Sequence, residues 1–169
     1  MSTLLLPFDG SAGSLRGVQH VIQTSRNERD LHVHVLNVQP PFSRNVARHI
    51  GRRTRGECHR DQAEAVLAGA RRTLDAAGVR HTVHWEVGDR ARCIVEAARR
   101  FRCDRIVVGT PRKSLLVRLV EGSVINRVIA STTVPVEVIA GDAPSRLERF
   151  GIPAGVGTGL TALWLAAAD

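Results

Sequence analysis

The hydrophobic residues of this chain switch repeatedly between two spacings, and that switching limits the possible folds more than any other feature. Leu4-Leu5-Leu6-Pro7-Phe8 is a short apolar run ending in the turn residues Asp9-Gly10-Ser11, the pattern of a strand. Leu15, Val18, Val21 and Ile22 then recur at helical spacing and predict an amphipathic helix over Ala12 to Arg26. Leu31 to Val38 reads as a second strand, halted at Gln39-Pro40-Pro41. Ala63, Val66, Leu67, Ala70 and Leu74 mark a second helix, stopped by Gly78. Val79 to Val87 reads as a third strand, and Asp89 is placed to cap a helix carrying Ile94, Val95, Ala98 and Phe101. Arg105 to Gly109 is a continuous apolar run suited to a central parallel strand buried on both faces. A fourth helix is expected over Glu121 to Ala130 and a last strand over Val134 to Ile139, whose Pro135 cannot donate to a ladder and so argues for a sheet edge. Strand and helix thus alternate five times. The pattern predicts an α/β fold, a parallel sheet with helices on both faces joined by right-handed crossovers.

At 169 residues, 43% of them hydrophobic and 24% charged, the chain can bury a single core without staples. A domain over residues 1–141 is expected to end at Gly141-Asp142-Ala143-Pro144, followed by an extension over 142–169. In that extension Ile152 to Ala168 carries no charge, but Pro153, Gly155, Gly157 and Gly159 break its first half, leaving Leu160 to Ala168 as a short apolar helix. Docking of that helix on the body or on a second subunit is favoured over a membrane span or interfacial contact through Trp164. Met1-Ser2-Thr3 leads directly into the first strand without the basic start of a secretory signal, which points to a cytoplasmic protein. Cys58, Cys93 and Cys103 are an odd count without a Cys-x-x-Cys spacing, so neither a disulfide framework nor a four-ligand zinc site is expected. Cys93 and Cys103 read as buried apolar fillers.

Lysine and arginine number 24 against 16 acids, a net charge of +8, and Lys113 is the single lysine. Such a balance suits nucleic acid, anionic lipid or acidic small molecules, but it is dispersed along the chain. One local excess exists: Arg44, Arg48, Arg52, Arg53, Arg55 and Arg60 against Glu57 alone across residues 44–60. Lacking aromatic interleaving beyond Phe42, this stretch is expected to be a mobile basic connection that can contact an acidic protein partner. A specific nucleic-acid site is not expected there.

Ligands of open parallel sheets bind beyond the carboxyl ends of the strands, where strand order reverses. Two loops fall at such ends. After the first strand, Asp9 offers an acceptor for sugar hydroxyls and Gly10-Ser11 opens a helix; the plainer reading is that Asp9 only caps that helix. After the fourth strand come Gly109-Thr110-Pro111-Arg112, nine residues from Lys113 to Glu121, then Gly122-Ser123. Backbone N–H groups beside a glycine and at a helix start suit phosphate oxygens. His32 and His34 share one strand face, and His81 and His84 sit on the neighbouring strand; carboxylate or cysteine ligands of suitable spacing are missing beside them, so no metal site is expected. A nucleophile elbow, an H-E-x-x-H helix and a Walker A loop are all absent from the sequence.

With these motifs the chain resembles the universal stress protein (UspA-like) family over about residues 3–140, most closely in Val107-Val108-Gly109, Gly122-Ser123-Val124 and Pro135-Val136. The resemblance implies a Rossmann-like five-stranded parallel sheet of order 3-2-1-4-5 and a homodimer joined along the last strand. It also implies an ATP site, with Mg2+, of the kind some members have and others lack. Pro7, Phe8 and Asp9 would flank adenine and ribose, Val38 would offer backbone hydrogen bonds to adenine, and Val108, Gly109, Gly122, Ser123 and Val124 would hold ribose and phosphates. Two positions depart from the family signature. Arg112 stands where its middle glycine belongs, either filling the phosphate space or gripping phosphate with Lys113, and Ile125 stands where a hydroxyl is usual. The resemblance points to a stress-response regulator without catalytic residues, at most a very weak ATPase. In such a regulator nucleotide would order the loop from Gly109 to Glu121 and so change a partner surface. The alternative is a nucleotide-free dimeric scaffold, and a third class, polyanion binding, predicts affinity that falls steeply with salt.

Overall fold

The computed structural model describes residues 2–43, 48–49, 51–110 and 123–140. In chain order these form β1 (Ser2–Pro7), α1 (Ala12–Asn27), β2 (Leu31–Gln39), α2 (Arg52–Ala76), β3 (His81–Val87), α3 (Arg90–Arg100), β4 (Arg105–Thr110), α4 (Val124–Ser131) and β5 (Val136–Ala140). The strands make one parallel sheet of order β3-β2-β1-β4-β5. Side-chain alternation divides the core in two. Leu4, Leu6, Val33, Val35 and Val107 face α1 and α2 through Val18, Val21, Leu67 and Leu74. Leu5, Leu36 and Ile106 face α3 and α4 through Ile94, Ala98 and Val128. Helices therefore cover both faces, as the alternating pattern predicts.

Several boundaries differ from the sequence expectation for identifiable reasons. The basic stretch is not a connection from Arg52 onward, because residues 52–60 are the first turns of α2. Arginine is a good helix former, Arg53 Nε pairs with Glu57 one turn away at 3.0 Å, and the buried stripe of Ala63, Leu67, Ala70 and Leu74 extends back to His59. Residues 44–47 lie outside the described residues. β3 starts two residues late, because Val79 is spent closing α2: its N–H bonds the Leu74 carbonyl at 3.0 Å and Gly78 N–H bonds that of Asp75 at 2.9 Å. α4 starts at Val124, capped by Ser123; Glu121 lies outside the described residues. Pro135 precedes β5, an edge strand, and its carbonyl accepts from Ile106 N–H at 2.8 Å.

The helical spacing of α1 predicts Leu15 among its core residues, yet Leu15 is 43% exposed while Gly13, Ser14 and Gly17 are buried. The cause lies in β4. A Cβ placed on Gly109 would sit 1.9 Å from the Gly13 carbonyl oxygen and 2.9 Å from Gly17 N, so the backbone of α1 rests directly on the backbone of β4. Helix and strand approach this closely only because Gly109 lacks a side chain.

Candidate functional site

All five strands run parallel, so their carboxyl ends open at one end of the sheet. β1 sends its chain toward β2, whereas the crossover through α3 enters β4 on β1's other side, so strand order reverses between β1 and β4. A cavity of about 380 Å³ lies there. Of the residues expected at the site, Pro7, Phe8, Asp9, Val38, Val108, Gly109 and Val124 line it together. Ser123 is not in its wall but directly precedes Val124, where its side chain accepts from Asn126 N–H at 3.2 Å as the cap of α4. Arg112 and Gly122, with Lys113 and most of the loop expected to order around nucleotide, lie outside the described residues.

The β1 loop is built to present a charge. Phe8 N–H bonds the Leu36 carbonyl at 2.8 Å, continuing the ladder one residue past β1. Asn37, 3% exposed, donates from Nδ2 to the Phe8 carbonyl at 2.7 Å and accepts at Oδ1 from Gln39 at 2.6 Å. Gly10, at φ +79°, then turns the chain so that Ser11 N–H donates to Asp9 Oδ1 at 3.0 Å. The cap of α1 is Ser11, whose hydroxyl accepts from Ser14 N–H at 3.2 Å, and not Asp9 as the plainer reading of Asp-Gly-Ser has it. Partial burial raises the Asp9 carboxyl, but hydrogen bonds from Ser11 and Ser14 outweigh it and hold the group below its ordinary range, ionised at neutral pH.

Val38 contributes through its backbone. On a parallel strand, alternate residues send both N–H and C=O toward the same neighbour. The Leu36 carbonyl serves β1 and the Gln39 carbonyl takes Gly88 N–H on the β3 side, so Val38 aims both groups toward β1's side. β1 has ended there, at Pro7. A donor and an acceptor so placed match the edge of a purine.

The far wall is held by an ion pair between helix starts. Asp89 caps α3 by accepting Arg92 N–H at 3.0 Å, and Arg127 of α4 grips both its oxygens at 2.9 Å. Arg127 is the main reason the Asp89 carboxyl sits below its ordinary range. The next residue, Arg90, lines the cavity and has no ion pair among the described residues. Ile125 also lines it, so the position where a hydroxyl is usual presents a hydrocarbon.

A sequence profile of the Universal stress protein family matches residues 1–140. The chain belongs to the universal stress protein family. Universal stress protein MJ0531 of Methanocaldococcus jannaschii is 31% identical over 144 residues, 80% of each chain. Among solved structures, a universal stress protein family member from Arabidopsis thaliana with AMP bound superposes with a TM-score of 0.62 at 18% identity, covering 86% of this chain and 95% of its own. A universal stress protein in complex with cAMP gives 0.63 at 22% identity, covering 83% and 98%. At such identities the superpositions establish the fold.

In this universal stress protein, sequence reasoning missed Ser14, Leu36, Arg90, Ile94 and Thr110 of the cavity wall. Ser14 stands one helical turn beyond Ser11, and Arg90 follows a strand end, so both carried a positional signal. The histidines divide: His34 Nδ1 lies 3.0 Å from His84 Nε2, while His81 turns to the other face, its Nδ1 2.9 Å from the Val79 carbonyl. Among the described residues no group of three or more His, Cys, Asp or Glu could hold a metal. Cys93 and Cys103 are both buried, and burial pushes the Cys103 thiol up to about 11.

Burial lowers the pKa of His34 to about 4, with His32 and His84 adding repulsion, and lowers those of His32 and His84 as well. A folded-state pKa below the unfolded 6.5 gives stability that is complete above about pH 6.5 and lost as pH falls toward 4. After solvent screening the loss is on the order of 1 kcal/mol. Urea unfolding at pH 7.5 and 4.5 is expected to show a smaller loss of stability in His34→Phe than in the native protein; equal losses would contradict this origin.

Proposed function

We propose that this universal stress protein is a regulatory protein that binds an adenine nucleotide in the cavity at the strand-order reversal and does not turn it over. The single observation that carries the reading is the convergence of Val38's outward backbone groups, the ionised Asp9 and the Arg90 guanidinium on one apolar-walled cavity. Phe8, Leu36, Val38, Ile94 and Val108 supply a hydrophobic slot for the base. Asp9 then suits the ribose hydroxyls, and Arg90 with the Ser123-capped start of α4 suits phosphate. The structures with AMP and cAMP show related folds holding adenine nucleotides of the same chemistry. For ATP, Mg2+ would arrive with the phosphates. Asp9 is a poor general base, because hydrogen bonds hold its carboxyl below its ordinary range, which supports binding without hydrolysis.

Arg90 separates this reading from a nucleotide-free scaffold. Arg90→Gln is expected to weaken AMP and ATP about tenfold and leave adenosine, which has no phosphate, unchanged. Isothermal titration with the three ligands reads this directly. Equal weakening of all three, or no binding by the native protein, would remove the nucleotide from the function. A homodimer through β5 belongs to the same proposal, since β5 is a sheet edge whose backbone groups a second copy can pair. A cytoplasmic site of action belongs to it too; among the described residues no helix is long and apolar enough to cross a membrane.

A further inference from the structure

A second cavity, of about 380 Å³, lies between Pro41-Phe42 beyond β2, the first turns of α2, and Val87 at the end of β3. It shares no residue with the nucleotide cavity. Arg52, Arg55 and His59 line it from one face of α2, at spacings of three and four residues. His59 is only 7% exposed and its ring packs on Phe42 with centroids 4.3 Å apart. Among the described residues its buried Nδ1 has no hydrogen-bond partner, and neither does the buried Nε of Arg55. Among the described residues the lining contains no acid, and the nearby Glu57 is already paired with Arg53.

Buried nitrogens that can donate are almost always paired in folded proteins, because leaving them unmade sacrifices their hydration for nothing. Arg55 Nε can only donate, and His59 Nδ1 donates in the tautomer that carries its proton; with a second guanidinium among the lining residues and no carboxylate among those described, these groups suit an acceptor carrying negative charge. Phe42, Pro41 and Val87 make the remaining wall apolar, so the acceptor must be attached to something hydrophobic.

We propose that this cavity is a second ligand site of the protein. It takes a small organic anion whose phosphate or carboxylate accepts from Arg55 Nε and His59 Nδ1, with Arg52 as counter-charge, and whose apolar part lies against Phe42 and Val87. The excess of arginine in this stretch then has a local role, and the bulk charge of +8 is not what the site depends on. The site is independent of the nucleotide reading, since it uses different residues.

The test is a titration of the full chain with phenyl phosphate, benzoate and inorganic phosphate, followed by the His59 ring-nitrogen and Phe42 amide resonances. At least one aromatic anion is expected to shift both saturably and to bind more tightly than inorganic phosphate. Preference for phenyl phosphate assigns phosphorylated ligands, and preference for benzoate assigns carboxylates. Arg55→Gln is expected to weaken binding about tenfold or more while leaving AMP affinity unchanged. Should that variant fail to fold, Arg52→Gln at the exposed end of the site carries the same expectation at a few-fold loss. No shift at His59 with any probe, tighter binding of inorganic phosphate than of both aromatic anions, or undiminished affinity in a folded variant overturns the proposal. AMP resonances at Val38 and Val124 serve as the separate readout of the first cavity.

Discussion

Gly109→Ala is expected to destabilise the protein by about 3 kcal/mol or more, at the upper end of what overpacking costs. The added Cβ meets backbone and not a flexible side chain: the Gly13 carbonyl oxygen at 1.9 Å, the Gly13 carbonyl carbon at 2.8 Å and Gly17 N at 2.9 Å. Relief requires α1 to lift off β4. That movement opens the contact beneath Val18 and Val21, which are 1% and 0% exposed, and tilts the Ser11-capped start of α1 that fixes Asp9. Against a total stability of roughly 5–15 kcal/mol, the loss is a large fraction. Urea unfolding checks it: a midpoint within experimental error of the native one would show that α1 and β4 are not in backbone contact. Gly109 is thus a packing residue first, and the cavity it lines inherits its shape from that packing.

Asp9→Ala is expected to weaken AMP and ATP by roughly 10- to 100-fold, the loss of one charge-assisted hydrogen-bonding group, about 1.5–3 kcal/mol. The Ser11 N–H also loses its acceptor, but the cap of α1 is Ser11 itself, so the helix and the fold survive. Asp9→Asn keeps the acceptor and removes the charge, and falls between the two. Because Asp9 faces the sugar in this account, adenosine weakens in parallel with AMP, in contrast to its indifference to Arg90→Gln. Titration calorimetry with adenosine and AMP distinguishes the two side chains. Unchanged affinities in Asp9→Ala would place the ribose elsewhere.

Much of this architecture is legible in the sequence, because a parallel sheet writes its strands as apolar runs and its helices as spaced apolar faces. The loops after the first and fourth strands are equally readable through Asp9 and Gly109, and the family resemblance adds Pro7, Phe8, Val38, Val108 and Val124; all of these fall on one cavity. What escaped depends on contacts between distant segments. Gly13 and Gly17 look unfavourable for a helix until Gly109 is placed beneath them. The arginines that open α2 lack an apolar period, so they read as loop although His59 continues the buried stripe. Asn37 sits in an apolar run and gives no local hint that it holds the Phe8 carbonyl. Arg90 is one surface arginine among many until Asp89 and Arg127 join the two helix starts and Arg90 is placed in the cavity wall.

Mapping AMP onto the protein through backbone amide chemical shifts decides whether the nucleotide sits where strand order reverses. Saturable shifts are expected to centre on Phe8, Asp9, Val38, Gly109 and Val124, with Phe42 and His59 undisturbed. Saturation without movement of those five amides, or no saturable shift at all, would contradict that placement.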